Sequence, residues 1–243
     1  MTTLLDSRLP DGGGYTVAGF YNLNPDKVSL VPNNYFTLAS NYGEQIQHWN
    51  GADFTINARL RRGFTVQGGV STGRQETDNC AVIAGLPEAA LLTAPYCHQK
   101  DNFLTDGKLI GTYNIPKIDV TISGLFYSRP GPVLSANRVF LNAEVAPSLG
   151  RSLSANAATV TINLVKPGTL YGERRNQLDL RLTKNLRFQR VRTGVNFELY
   201  NIFNSNTVLT ENTTYRDTTV TGWRIPTTIM PPRFIKLSVQ LDF

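Results

Sequence analysis

No run of about 18 or more apolar residues occurs in the chain, which excludes a transmembrane helix. Histidine is scarce: His48 and His98 are the only two among 243 residues, and no zinc-type ligand spacing is present. Catalytic signatures are missing as well. There is no nucleophile elbow and no paired-histidine arrangement, so no enzymatic role and no cofactor are expected. The Asp11-Gly12-Gly13-Gly14 run is not followed by Lys-Ser/Thr and reads as a flexible turn rather than a phosphate loop. The basic excess gives a net charge of +6, but no long basic run exists. Arg59, Arg61, Arg62, Arg181 and Arg187 are scattered at turns or at every second position, which argues against nucleic acid. The N-terminus, MTTLLDSRLPDGGGY, lacks a basic n-region and an apolar h-region and is not a secretory signal.

What is present is alternation with a period of two, the mark of strands whose successive side chains face opposite ways. Phe54, Ile56, Ala58 and Leu60 alternate with Thr55, Asn57, Arg59 and Arg61. After the short turn Arg62-Gly63, Phe64, Val66 and Val70 alternate with Thr65, Gln67 and Ser71, making a hairpin. A second hairpin has Leu109, Gly111, Tyr113 and Ile115, a turn at Pro116-Lys117, then Ile118, Val120, Ile122, Gly124 and Phe126. Ile110, Leu125 and Tyr127 break its pattern. A third pairs Leu178, Leu180 and Leu182 with Val195, Phe197 and Leu199 across a connection from Asn185 to Arg190. The last strand carries Ile235, Leu237, Val239, Leu241 and Phe243.

About seven strands result, each near the 9–11 residues that a tilted strand needs to cross a membrane. Turns at one end are short. Connections at the other are long, over roughly residues 74–104, 129–173 and 204–231. Residues 1–50 have weak periodicity and read as a further long-loop region, in which 15–23 could make a short strand. Residues 51–243 carry the strands. Long loops without periodicity suit a compact soluble domain poorly, whereas outer-membrane barrels have short periplasmic turns and long extracellular loops. The expected fold class is therefore all-β, an antiparallel transmembrane barrel segment. Opposite the aliphatic face lie Asp179, Arg181, Asn196, Glu198, Lys236, Gln240 and Asp242, which would line the lumen. Aromatic residues near strand ends, Tyr113, Phe126, Tyr127, Tyr200 and Phe203, fit interface girdles and ordinary strand packing equally. Bacterial barrels have even strand numbers, so seven strands together with the missing signal lead us to expect a fragment of a larger barrel.

The segment from Tyr171 to Thr210, YGERRNQLDLRLTKNLRFQRVRTGVNFELYNIFNSNTVLT, resembles the penultimate strands of TonB-dependent outer-membrane receptors. Its Tyr200-Asn201-Ile202-Phe203-Asn204 stretch is similar to their Asn-Leu-Phe type signature. The ending RFIKLSVQLDF resembles their final strand. DSRLPDGGGY, the DNC…PYC pair, the SRPG loop and VKPGTLYGERRNQLDLRL are similar to the large Oar-like receptors, which carry a carboxypeptidase-regulatory-like domain and a plug before the barrel. The resemblance implies location in the bacterial outer membrane, contact with its lipid, and energy-coupled uptake of an unidentified extracellular substrate. It implies coupling to the TonB complex through an N-terminal plug that this chain lacks. A surface structural or adhesion protein on the same barrel is the alternative, and a soluble β-sandwich binding module a weaker one.

Cys80 and Cys97 share the first long loop, and in an oxidising compartment they are expected to form a disulfide. Ile235, Leu237, Val239 and Leu241 place an apolar residue at every second position back from Phe243. This resembles the terminal strand that the barrel-assembly machinery engages, so these five are the expected assembly signal.

Overall fold

A computed structural model of the chain describes residues 5–34, 36–189, 191–216 and 222–242. The chain runs through β1 (Ile46–Arg59), β2 (Phe64–Asp78), helix α1 (Cys80–Gly85), β3 (His98–Lys100), β4 (Leu104–Ile115) and β5 (Val120–Arg129). It continues through β6 (Asn137–Leu141), α2 (Asn142–Leu149), β7 (Thr159–Asn163), β8 (Arg175–Phe188) and β9 (Val191–Tyr200). The last elements are β10 (Val208–Glu211), β11 (Thr214–Tyr215), β12 (Pro226–Ile229) and β13 (Phe234–Asp242).

The long strands form one antiparallel meander in the order β1-β2-β4-β5-β8-β9-β13, with β3 added beside β2. Every neighbour in this order is also the next long strand in sequence, which is what alternating short turns and long loops produce. Among the described residues, β1 and β13 are each paired along one edge only.

The seven strands expected from periodicity are all present, with shifted ends. β1 begins at Ile46, inside the stretch read as loop, and pairs with β2 from Ile46↔Asp78 to Arg59↔Thr65. β2 therefore runs into the region read as the first long loop. Ile118 is not a strand residue: residues 116–119 form the turn, where Asp119 has φ 48° and its carbonyl accepts Asn185 N–H at 2.9 Å. An aspartate tolerates this left-handed backbone better than a β-branched residue does. The connection expected from Asn185 to Arg190 is mostly strand, because pairs Asn185↔Gly194 and Leu186↔Thr193 continue the ladder and keep Leu186 on the apolar side. At the first short turn Gly63 has φ 78°, a conformation glycine adopts without penalty.

Residues 15–23 make no named strand. Their hydrogen bonds go sideways to the first two long loops instead, the Tyr21 N–H to the Leu91 carbonyl at 2.8 Å. Tyr15 donates its hydroxyl to the Leu164 carbonyl at 3.0 Å, and Arg151 reaches the Asn22 side chain at 2.9 Å and the Leu23 carbonyl at 2.9 Å. The long loops build a second layer. In it β11-β6-β7 form a small sheet and β10-β12 a ribbon. Its core contains Leu9, Val17, Phe140, Ile162, Val165, Tyr215 and Trp223, none of which lies in the meander.

Candidate functional site

The two faces of the meander differ in chemistry and in the wrong sense for a protein whose sheet packs on a core. Register places Tyr113, Ile122, Leu182, Phe197 and Leu237 in one cross-strand row. Gly124, Leu180, Leu199 and Ile235 form the next row on the same face. This face is open: Leu237 is 74% exposed, Val239 63% and Ile235 59%. On the opposite face Asn196 is 7% and Glu198 3% exposed, covered by their neighbours, while Arg181, Lys236, Gln240 and Asp242 are exposed. Soluble sheets bury their aliphatic face; here the aliphatic residues are outside and Glu198 is covered.

The seven polar residues singled out in the sequence do share this second face. Thr183, Asn196 and Ser238 form one row, and Arg181, Glu198 and Lys236 the next. Glu198 is the hub. Its Oε1 accepts from Arg181 Nε at 2.6 Å, and its Oε2 accepts from the Tyr200 hydroxyl at 2.9 Å and lies 3.3 Å from Lys236 Nζ. Asn196 accepts from Thr183 at 2.7 Å and donates to Ser238 at 3.3 Å. Asp179 accepts from Gln177 at 2.9 Å and from the Asn201 backbone N–H at 2.8 Å, so it fastens the start of the third long loop. Gln240 donates to Asp242 at 3.2 Å. A buried carboxylate is tolerated when its oxygens are this fully bonded.

The pattern-breaking residues of the second hairpin have a structural answer. Ile110 and Leu125 are direct partners across β4 and β5, on the polar face. They border a recess of about 270 Å³ that also touches Asp179, Arg181, Glu198 and Tyr200. Tyr127 faces the same way, and its hydroxyl donates to Gln177. Tyr200 stacks on Phe234 at 4.6 Å on this face. Tyr127 and Tyr200 therefore do not belong to an outward girdle, whereas Tyr113 and Phe126 do lie on the apolar face.

Ile235, Leu237, Val239 and Leu241 alternate on the apolar face of β13, each at least 52% exposed. Phe243, the last residue of that pattern, lies outside the described residues. Cys80 and Cys97 form a disulfide with a Cα–Cα distance of 4.8 Å. It ties the first turn of α1 to the residue before β3.

Two features escaped the sequence reading. One is the charged cluster at the loop end of β1 and β2. There Glu76 is met by His98 Nε2 at 2.9 Å, Lys100 Nζ at 3.0 Å and His48 Nε2 at 3.7 Å. The cross-strand spacing of β3 on β2 creates it, and β3 is too short to show periodicity. Among the described residues, no group of three or more His, Cys, Asp or Glu could hold a metal ion. The other is a cavity of about 200 Å³ in the loop layer, between residues 17–22 and α2 with β7.

In that layer two ionisable groups are strongly perturbed. The Arg8 side chain, bonded to Asp6 Oδ2 at 2.7 Å, holds the Asp6 carboxyl down to about 2 against the opposing effect of burial. Burial pushes the Tyr96 hydroxyl up to about 12. These shifts come with structural anchoring.

The chain is thus an all-β protein with a two-faced antiparallel meander and a folded loop layer. Comparison with known proteins finds no matching family model, no matching curated protein and no matching solved structure.

Proposed function

We propose that this chain is the C-terminal, membrane-spanning part of a TonB-dependent receptor of the bacterial outer membrane. In this reading it forms part of the wall of a larger barrel and takes up an extracellular substrate. The observation that carries it is the open apolar face of the meander, with Leu237, Val239 and Ile235 exposed, backed by a polar face on which Glu198 is covered by Arg181, Tyr200 and Lys236. Lipid is the solvent that stabilises such a face, and a polar lumen suits the other. In this reading the change of the apolar face to polar residues towards the loops marks the edge of the lipid. Beyond the Phe54↔Val70 pair, the same face turns to Ala52↔Thr72, Asn50↔Arg74 and His48↔Glu76. In this reading the edges of β1 and β13, unpaired among the described residues, are met by further strands, because lipid satisfies no backbone group. A soluble sandwich would need a second sheet on the open face.

Folding of the long loops into a layer with its own core also favours a surface or adhesion role on the same barrel. Energy coupling separates the two. Cells producing the full receptor are fractionated, and its electrophoretic mobility is compared with and without heating. The receptor reading expects outer-membrane, heat-modifiable protein and substrate uptake that disappears without the TonB system. Recovery in the soluble fraction would overturn it. Outer-membrane protein with no energy-dependent uptake would favour the adhesion reading.

A further inference from the structure

At its loop end the polar face sets two arginines of neighbouring strands side by side. Register there places Asp106 and Arg129 on neighbouring strands, with Arg129 directly opposite Arg175 across β5 and β8. Two residues further from the loops, Lys108, Tyr127 and Gln177 form the next row of the same face. Like charges directly opposite in a sheet repel and destabilise the pair. Both guanidinium groups lean on one ring: Arg175 Cζ is 4.7 Å and Arg129 Cζ 6.0 Å from the Tyr127 centroid. The ring is itself held by its hydroxyl bond to Gln177. Of the two carboxylates in the row, Asp106 lies 3.4 Å from Arg129 Nε and is half-exposed, while Asp53 stands farther off, on β1 beyond Ser71. Arg175 has no carboxylate partner among the described residues, and its Nε is buried without a hydrogen-bond partner. Asp179, the next acid along β8, already accepts Gln177 and the Asn201 N–H.

We infer that Arg129 and Arg175 form a binding site for an oxyanionic group, a carboxylate or a phosphate, on the polar face just below the loops. A planar guanidinium presents paired N–H donors that match two oxygens of such a group. An anion seated between the two guanidinium groups removes their repulsion. Tyr127 fixes their positions beforehand, so less side-chain freedom is lost on binding. Arg181 lies further down the same face but is committed to Glu198, so it is the internal comparison. This inference deepens the receptor reading and rests on it for the biological meaning: the substrate would carry an anionic group and meet these arginines as it passes the loops.

The test titrates the full chain, purified in detergent, with inorganic phosphate and separately with succinate, following heat by calorimetry at low salt. Saturable binding of at least one is expected. Arg175→Gln and Arg129→Gln should each weaken it tenfold or more, while Arg181→Gln changes it less than threefold. Preference for phosphate or for succinate identifies which oxyanion the site takes. β-sheet content by circular dichroism confirms that the variants are folded, and Arg175→Lys, which keeps charge but loses the fork, should bind with intermediate strength. Absence of saturable binding, or equal binding in all variants, would overturn the inference. Fractionation is scored separately. A chain located in the outer membrane that binds no oxyanion defeats this site alone; a soluble chain whose binding depends on Arg175 defeats the receptor reading and leaves the site standing.

Discussion

Tyr96 shows how single residues hold the loop layer. Its ring is 8% exposed, lies edge-on to Phe20 at 6.4 Å, and its hydroxyl donates to the Asn163 carbonyl at 2.5 Å. Burial favours the neutral phenol and raises its pKa from 10.0 to about 12. The folded state therefore keeps the proton longer than the unfolded chain. Its contribution is complete below pH 10 and is lost as pH rises towards 12. Asp6 behaves in the opposite sense. Its folded pKa, depressed from 3.8 to about 2, gives stability that is complete above pH 4 and lost as pH falls towards 2. We expect the near-ultraviolet dichroism of the loop layer to hold between these limits and fade at both. Tyr96→Phe should shift the alkaline limb upward, leaving the part due to Tyr15, whose hydroxyl burial also raises. Asp6→Asn should remove the acid limb and lower stability at neutral pH. An alkaline limb unchanged in Tyr96→Phe would show that the phenol does not anchor this layer.

At the scale of elements, the meander was readable in the sequence and the loop layer was not. Period-two runs mark β1, β2, β4, β5, β8, β9 and β13 because each strand has one uniform face, so the pattern is local. The loop core has no such signal. Leu9, Phe140, Ile162, Tyr215 and Trp223 come from four distant stretches and meet only in three dimensions. The small sheet illustrates this: β11 joins β6 in parallel from more than 70 positions away, and Tyr215 donates to Asp6 at 3.2 Å. Two-residue and five-residue strands are too short to display a period. Strand ends were misplaced for a related reason. Beyond Phe54 and Val70 the ladder continues with mostly polar residues, among which Ala52, Trp49 and Ile46 do not alternate, so pairing outlasts the hydrophobic alternation. On the polar face, the residues of the Glu198 network were legible because they alternate. Arg129 and Arg175 were not singled out, since their relation depends on register across strands separated by a long loop. Trp223 tests the independence of the loop layer. It is 2% exposed, donates Nε1–H to the Ser135 carbonyl at 2.9 Å and meets Tyr215 edge-on at 5.2 Å. Trp223→Ala should cost the layer about 3–5 kcal/mol, the range for large-to-small aromatic truncation in a core. Hydrogen exchange should then rise in β6 and β7 but stay slow in β8 and β9. Equal acceleration in all four would mean that the two layers unfold as one.

For the molecule as a whole, the environment of the apolar face decides the sign of a single substitution. Leu182 sits mid-strand in β8, between Ile122 and Phe197, and is 41% exposed. In water, replacing a part-exposed leucine with a charged residue changes stability little, within about 0.5 kcal/mol for most surface sites, and improves solubility. In lipid the same change buries a charge in hydrocarbon and costs about 2–4 kcal/mol near the mid-plane of a barrel. The neighbouring Thr121 of β5 supplies the control, because it shares the polar face with Asn114 and Thr183. The receptor reading expects Leu182→Arg to lower sharply the amount of heat-modifiable protein in outer membranes, and Thr121→Arg to leave it near the parent level. Leu182→Phe, which keeps the face apolar, should accumulate normally, so a loss in Leu182→Arg alone cannot be attributed to packing volume. A water-facing sheet would give the reverse order, with Leu182→Arg at least as abundant as the parent and more soluble. That outcome would remove the membrane from the account of this fold, and with it the explanation for an aliphatic face left open across seven strands.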